Sequence, residues 1–224
     1  MTSQELEELL EDSPILYHMA ERHSWPSIRK HGLRSTSALL DLYDVRGAKR
    51  EALEREHRPS STTISSPGLY DAVIRDQKAM SDSGQYRCLP SHSTPSDWYA
   101  LLNSKVFFWL SEERLHRMTT SREYHLREHE ILEVNTRSLI DAHFSNIWLC
   151  PINSGCTKPM PHSRDDASFT RIQEYKYSHW KTRRRRGERV VELTVVYAVP
   201  DIQNHIERVI VKKGLETLSV LVQQ

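Results

Sequence analysis

One carboxylate interrupts "RVVELTVVYAVPDI", residues 189–202, where Glu192 takes a place that an apolar residue would fill at lower cost. In an extended strand Val190, Glu192, Thr194 and Val196 share one face, and Val191, Leu193, Val195 and Tyr197 share the other. The second face reads as continuous core and the first as mixed. Glu192 therefore either points to water or projects into a cleft. A fixed carboxylate in a cleft can bond a sugar hydroxyl and stabilise positive charge developing on an anomeric carbon. Loss of nicotinamide from NAD passes through such an oxocarbenium-like state.

Other residues could serve the same chemistry. His18, in "LYHM", shares a face with Leu16 and either bonds nearby backbone or orients a ligand. His23 and His31 lie near it at spacings that match no compact metal motif, so no metal is expected. Arg75, in "VIRDQKAM", belongs to a surface ion-pair cluster or reaches a phosphate with its planar fork. "FFWLS" (107–111) is core material, or an aromatic wall for a flat ring. "PINSGCTKP" (151–159) is a turn that could border a cleft. "YKYSHWKTRRRRGER" (175–189) sets Tyr175, Tyr177, His179 and Trp180 among Lys176, Lys181, Arg183, Arg184, Arg185 and Arg186. Aromatics that stack bases beside arginines that pair phosphates are how single-stranded nucleic acid is held. A solvated basic loop fits the same composition.

The elements that must position these groups are legible in part. Thr2 with Glu5 predicts a capping box opening a helix to Leu10. "PILYHM" (14–19) predicts a strand. Ser24 and Gly32 then bracket a helix as N-cap and left-handed C-cap. Ser35 predicts the cap of a longer helix, with a charged, exposed continuation to Arg58 interrupted at Gly47. Residues 58–68 read as a mobile Ser/Thr/Pro loop, and 69–80 fit either a strand or a helix. Thr94, Pro95 and Asp97 mark a helix start. A strand at 105–110, a helix capped by Ser111, a strand at 129–135, the short helix "TRSLIDAH" and a strand at 146–150 follow. Residues 151–187 read as irregular, and strands dominate after 189. Helices early and strands late, without regular alternation, predict one α+β domain over 1–224 with mostly antiparallel pairing.

Bulk properties narrow the classes. Formal net charge is +1, so attraction to polyanions must come from a local patch. Three cysteines without a C-x-x-C pair argue against a zinc or disulfide framework. The acidic "MTSQELEELL" lacks an apolar signal core and no apolar run is long enough for a membrane span, so a cytoplasmic protein with no membrane partner is expected.

"LYHMAERHSWPSIRKHGL", "KVFFWLS", "IWLCPINSGCT" and "RVVELTVVYAVPDIQNHIERVIV" together resemble DarT-type ADP-ribosyltransferases in order and partly in motif. The chain also closely resembles a bacterial family, without an assigned activity, in which the LYHM, IRDQ, VFFWLS, PINSG and VVEL motifs recur. The DarT resemblance implies a split, mostly antiparallel β core with peripheral helices and NAD bound between half-sheets. It implies Glu192 and Arg75 as catalytic groups, and His18, Met19, Ser35, Arg75, Phe108 and Trp109 as contacts to NAD. Trp180, Lys181 and Arg183–Arg186 would meet nucleic acid. The expected activity is transfer of ADP-ribose to a nucleic-acid base, in single-stranded DNA before RNA, as in a toxin or antiphage effector with an antitoxin or hydrolase counterpart. Met19 and Ala20 replace the family's Ile-Thr, and the turn lacks its Asp-Gly-Asn. NAD hydrolysis, phosphate transfer from RNA to NAD, and a non-catalytic nucleic-acid-binding module are the alternatives.

Overall fold

The computed structural model describes residues 1–158, 160–165 and 167–223. Thr2 and Glu5 form the expected capping box, and α1 runs Ser3–Asp12. Strand β1 (Ile15–Glu21) leads into α2 (Trp25–His31). Ser24 makes no side-chain cap bond because its own backbone is already helical. Gly32 combines φ +79° with ψ 164°, an extended exit and not a left-handed cap. β2 (Leu33–Arg34) follows, and the Ser35 hydroxyl accepts from the Ala38 N–H to cap α3 (Thr36–Leu42). The charged continuation is the separate helix α4 (Gly47–Arg55).

The stretch read as a loop, 58–68, contains β3 (Thr62–Ile64), paired antiparallel with β4 (Ala72–Ile74). Its β-branched residues prevail over the flanking serines and prolines. After α5 (Asp82–Tyr86), α6 (Pro95–Asn103) starts as its Thr94–Asp97 capping box dictates. β5 (Lys105–Trp109), α7 (Glu112–Thr119), β6 (Glu128–Asn135), α8 (Thr136–His143) and β7 (Ile147–Cys150) lie where patterning put them. Within the irregular segment are β8 (Thr170–Arg171) and α9 (Tyr177–Lys181).

The apolar run near the C-terminus is two strands, β9 (Glu192–Val196) and β10 (Ala198–Val199), and not one. Tyr197 sits between them at φ +67°, which turns the chain and leaves its ring 43% exposed instead of in the core. β11 (Ile206–Lys213) and β12 (Glu216–Gln223) complete the chain.

Eight strands form one antiparallel sheet in the order β12-β11-β6-β1-β5-β9-β7-β8, with β10-β2 and β3-β4 as two-stranded sheets. This is an α+β fold with a mostly antiparallel β core. Apolar side chains cover both sheet faces: Leu16, Phe108, Leu132 and Leu193 pack with α1 and α8 on one, and Trp98, Tyr99 and Cys150 pack with Phe169 on the other. β1 pairs with β6 along its whole length but with β5 at Tyr17–Trp109 alone. The sheet opens there. Among the described residues no helix is long and apolar enough to cross a membrane.

Candidate functional site

The opening between β1 and β5 leads into a cavity of about 260 Å³. His18 and Met19 come to it from β1, Ser35 from the α3 cap, Arg75 from the end of β4, and Lys105 and Phe107 from β5. Four of the residues singled out in the sequence thus meet at one place.

His18 is held by its Nδ1, 2.8 Å from the Phe107 carbonyl oxygen across the opening. A carbonyl only accepts, so Nδ1 carries the proton and Nε2 is left as an acceptor. Burial brings the imidazole down to about 4, assisted by the Arg75 charge and opposed by the Phe107 bond, so the ring is neutral at pH 7. Arg75 donates through Nη1 to the Met19 carbonyl at 2.8 Å and pairs through Nε with Glu21 at 3.2 Å. Its guanidinium lies 5.0 Å from the Tyr124 ring centre, and its buried Nη2 has no hydrogen-bond partner among the described residues. The Ser35 hydroxyl is already engaged as a helix cap.

Sequence reading missed Lys105 and Arg58, which also line the cavity. Lys105 is 7% exposed, and its Nζ lies 4.8 Å from the Trp148 ring centre and 5.4 Å from that of Phe169, rings that border a separate hollow, so the ammonium is turned away from His18. Burial lowers its ammonium to about 8. Alternation along β5, with Lys105 on the Phe107 and Trp109 face, was the available signal. Arg58 is spent on structure, donating to the Arg75 and Leu53 carbonyls and, at 2.9 Å, to Asn103 Oδ1.

Glu192 neither points to water nor lines this cavity. It is 2% exposed, with Oε1 accepting the Ser154 N–H at 3.1 Å and Oε2 the Ser154 hydroxyl at 2.6 Å. Burial pushes the carboxyl up to about 7, against the pull of the Ser154 bonds and of Arg114 and Arg164. In register, Trp109 is opposite both Tyr17 and Glu192. Directly paired residues share a face, so Tyr17, Trp109 and Glu192 form one row and Glu192 lies two strand spacings, about 10 Å, from β1. His18, next to Tyr17, projects to the other face with Phe108, whose ring centre is 5.8 Å away. Phe108 is core, and Trp109 packs beside Met19, Leu115 and Tyr124; neither lines the cavity.

The basic run is folded back on acidic side chains. Lys181 pairs with Glu8 at 2.8 Å, Arg185 with Glu113 at 2.7 Å, and Arg186 with Asp12. Arg184 donates to the Pro151 carbonyl and stacks 4.4 Å from the Trp180 ring centre, while Arg183 meets His179. Composition showed the positive charge; its partners, from α1 and α7, were out of reach of local reading. Among the described residues one group of three side chains could ligate an ion, His143, Asp201 and His205, all outside this cavity.

Residues 14–206 match a family of unknown function, DUF7002, and the chain belongs to that family. No curated protein matches it.

Proposed function

We propose that this DUF7002 protein cleaves NAD and transfers ADP-ribose, with the dinucleotide lying in the opening between β1 and β5. The observation that carries this reading is the meeting of Arg75, whose buried Nη2 has no partner among the described residues, with a neutral His18 where β1 and β5 part. The Arg75 guanidinium suits a pyrophosphate, and an imidazole Nε2 acceptor suits a ribose hydroxyl. Burial strengthens both contacts.

Glu192 supplies the carboxylate that favours charge development at the anomeric carbon as the bond to nicotinamide breaks. Its two bonds from Ser154 must open first, so the reading requires the turn at 151–157 to move. Nucleic acid remains the acceptor class, but intrachain pairing of Lys181, Arg185 and Arg186 works against a ready polyanion surface.

The test is incubation with NAD labelled in its adenylate half, with separate DNA, RNA and protein pools. Nicotinamide release and label transfer are expected, both lost in Glu192→Gln. Nicotinamide without labelled polymer would identify a hydrolase. Absence of both nicotinamide release and saturable NAD binding would overturn the reading.

The cationic cleft also favours a second reading, transfer of phosphate from RNA to NAD. RNA bearing a terminal or internal phosphate, included in the RNA pool, would lose that phosphate to NAD.

A further inference from the structure

At the far end of α8, away from the sheet opening, His143 is the last residue of the helix, and Asp201 and His205 lie on the turn between β10 and β11. Their ligand atoms all fall within 4.8 Å of one another. His143 Nε2 is 2.7 Å from Asp201 Oδ1, and His205 Nε2 is 3.3 Å from Asp201 Oδ2. The two rings stand edge to face, 5.6 Å apart between centres at 80°. Both imidazoles are thus aimed at one carboxylate.

The geometry points to a divalent transition-metal site made by His143, Asp201 and His205, with open coordination positions toward solvent. Donors about 2.1 Å from a common ion at angles of 90–109° stand about 3.0–3.4 Å apart. The separations of 2.7 and 3.3 Å lie just below and inside that range, and no ligand pair is more than 4.8 Å apart, so the triad closes on an ion with side-chain shifts of about 1 Å. Two imidazoles and one carboxylate suit zinc, cobalt or iron better than magnesium or calcium, which prefer all-oxygen shells.

The surroundings supply the supporting contact such ligands need. Ser138 Oγ lies 2.6 Å from His205 Nδ1. Without an ion, each ring must carry its proton on Nε2 to bond Asp201, and the Ser138 hydroxyl donates to Nδ1. With an ion, His205 moves its proton to Nδ1 and the same hydroxyl turns to accept it. His143 makes the same tautomer change. Asp201 is more exposed than either histidine, and an open hollow of about 400 Å³ lined by Ser138, His205 and Glu207 gives solvent access. The bound ion would tie α8 to the β10–β11 turn.

The experiment is titration of the chelator-treated full chain with Co²⁺, read by visible absorption, and with Zn²⁺, read by calorimetry and thermal melting. One ion per chain, a nitrogen–oxygen cobalt spectrum and a raised Tm are expected. Asp201→Asn and His205→Ala should each weaken binding by about 100-fold, and Ser138→Ala by about 10-fold. Circular dichroism of each variant separates lost ligation from lost folding. Absence of binding in the wild-type chain, binding unaltered in a folded Asp201→Asn or His205→Ala variant, or a thiolate charge-transfer band showing cysteine ligation would each overturn the assignment.

Discussion

Ser154 gives both its backbone N–H and its hydroxyl to the two oxygens of Glu192, closing the carboxylate off inside the protein. Burial nevertheless dominates and raises the carboxyl from 4.5 to about 7. A raised acid pKa means that the folded state holds its proton more tightly than the unfolded chain does. The associated stability is fully present below about pH 4.5 and is lost as pH rises through 7. Glutamine keeps an acceptor for the Ser154 N–H, and its amide can donate to a reoriented hydroxyl. Glu192→Gln should therefore stabilise the protein by about 1–3 kcal/mol at pH 8 and by little at pH 4. Urea unfolding at the two pH values checks this. An equal effect at both would show that Glu192 does not titrate as its burial dictates.

The arginine run makes a separate prediction. Surface ion pairs contribute about 0–1 kcal/mol to stability, so removing their acidic members leaves the fold intact. Glu8 and Glu113 hold Lys181 and Arg185. A Glu8→Gln/Glu113→Gln variant should bind single-stranded DNA several-fold more tightly than wild type at low salt, with a steeper salt dependence. Fluorescence anisotropy over a salt series measures both. Equal affinities would mean that these carboxylates do not mask the run.

Gly32 tests the junction beside the cleft. Its φ of +79° with ψ 164° is a region that essentially only glycine visits, and an added Cβ would lie 2.5 Å from the Pro200 Cα. Backbone cannot step aside as a flexible side chain does. Gly32→Ala should cost at least about 2 kcal/mol in urea unfolding, combining strain and clash. A loss below about 0.5 kcal/mol would show that Pro200 yields easily.

Much of the fold is written locally. The Thr2–Glu5 capping box, the helix start at Thr94, Pro95 and Asp97 and the strand at 129–135 each depend on neighbours within a few positions and form as read, although 129–132 are buried on both faces and do not alternate. Tyr197 escaped because its positive φ follows from the path of the chain into β10, where it bonds Asp41 at 2.6 Å, and not from its residue type. The site is less legible for the same physical reason. That His18 and Arg75 meet, that Ser154 seals Glu192, and that His143 meets Asp201 are long-range results of strand order. The Asp201–His205 spacing of four was visible, but its third member lies 58 residues earlier.

Lys105 ties stability to pH. Its ammonium falls from 10.5 to about 8 on burial, and among the described residues no carboxylate lies within ion-pair distance of it. A depressed basic pKa means that the unfolded chain takes up the proton more readily. The penalty is absent above about pH 10.5, grows as pH falls toward 8, and is constant below that. The aromatic rings of Trp148 and Phe169 offset part of it. Methionine fills similar volume without the charge. Lys105→Met should therefore stabilise the protein by about 1–2 kcal/mol at pH 7, a gain fading toward pH 10.5. Because the ammonium is turned toward Trp148 and Phe169 and away from the opening, the same variant should bind NAD or ADP-ribose as wild type does in a calorimetric titration. A stabler Lys105→Met protein that bound these nucleotides more weakly would show that the ammonium reaches the opening.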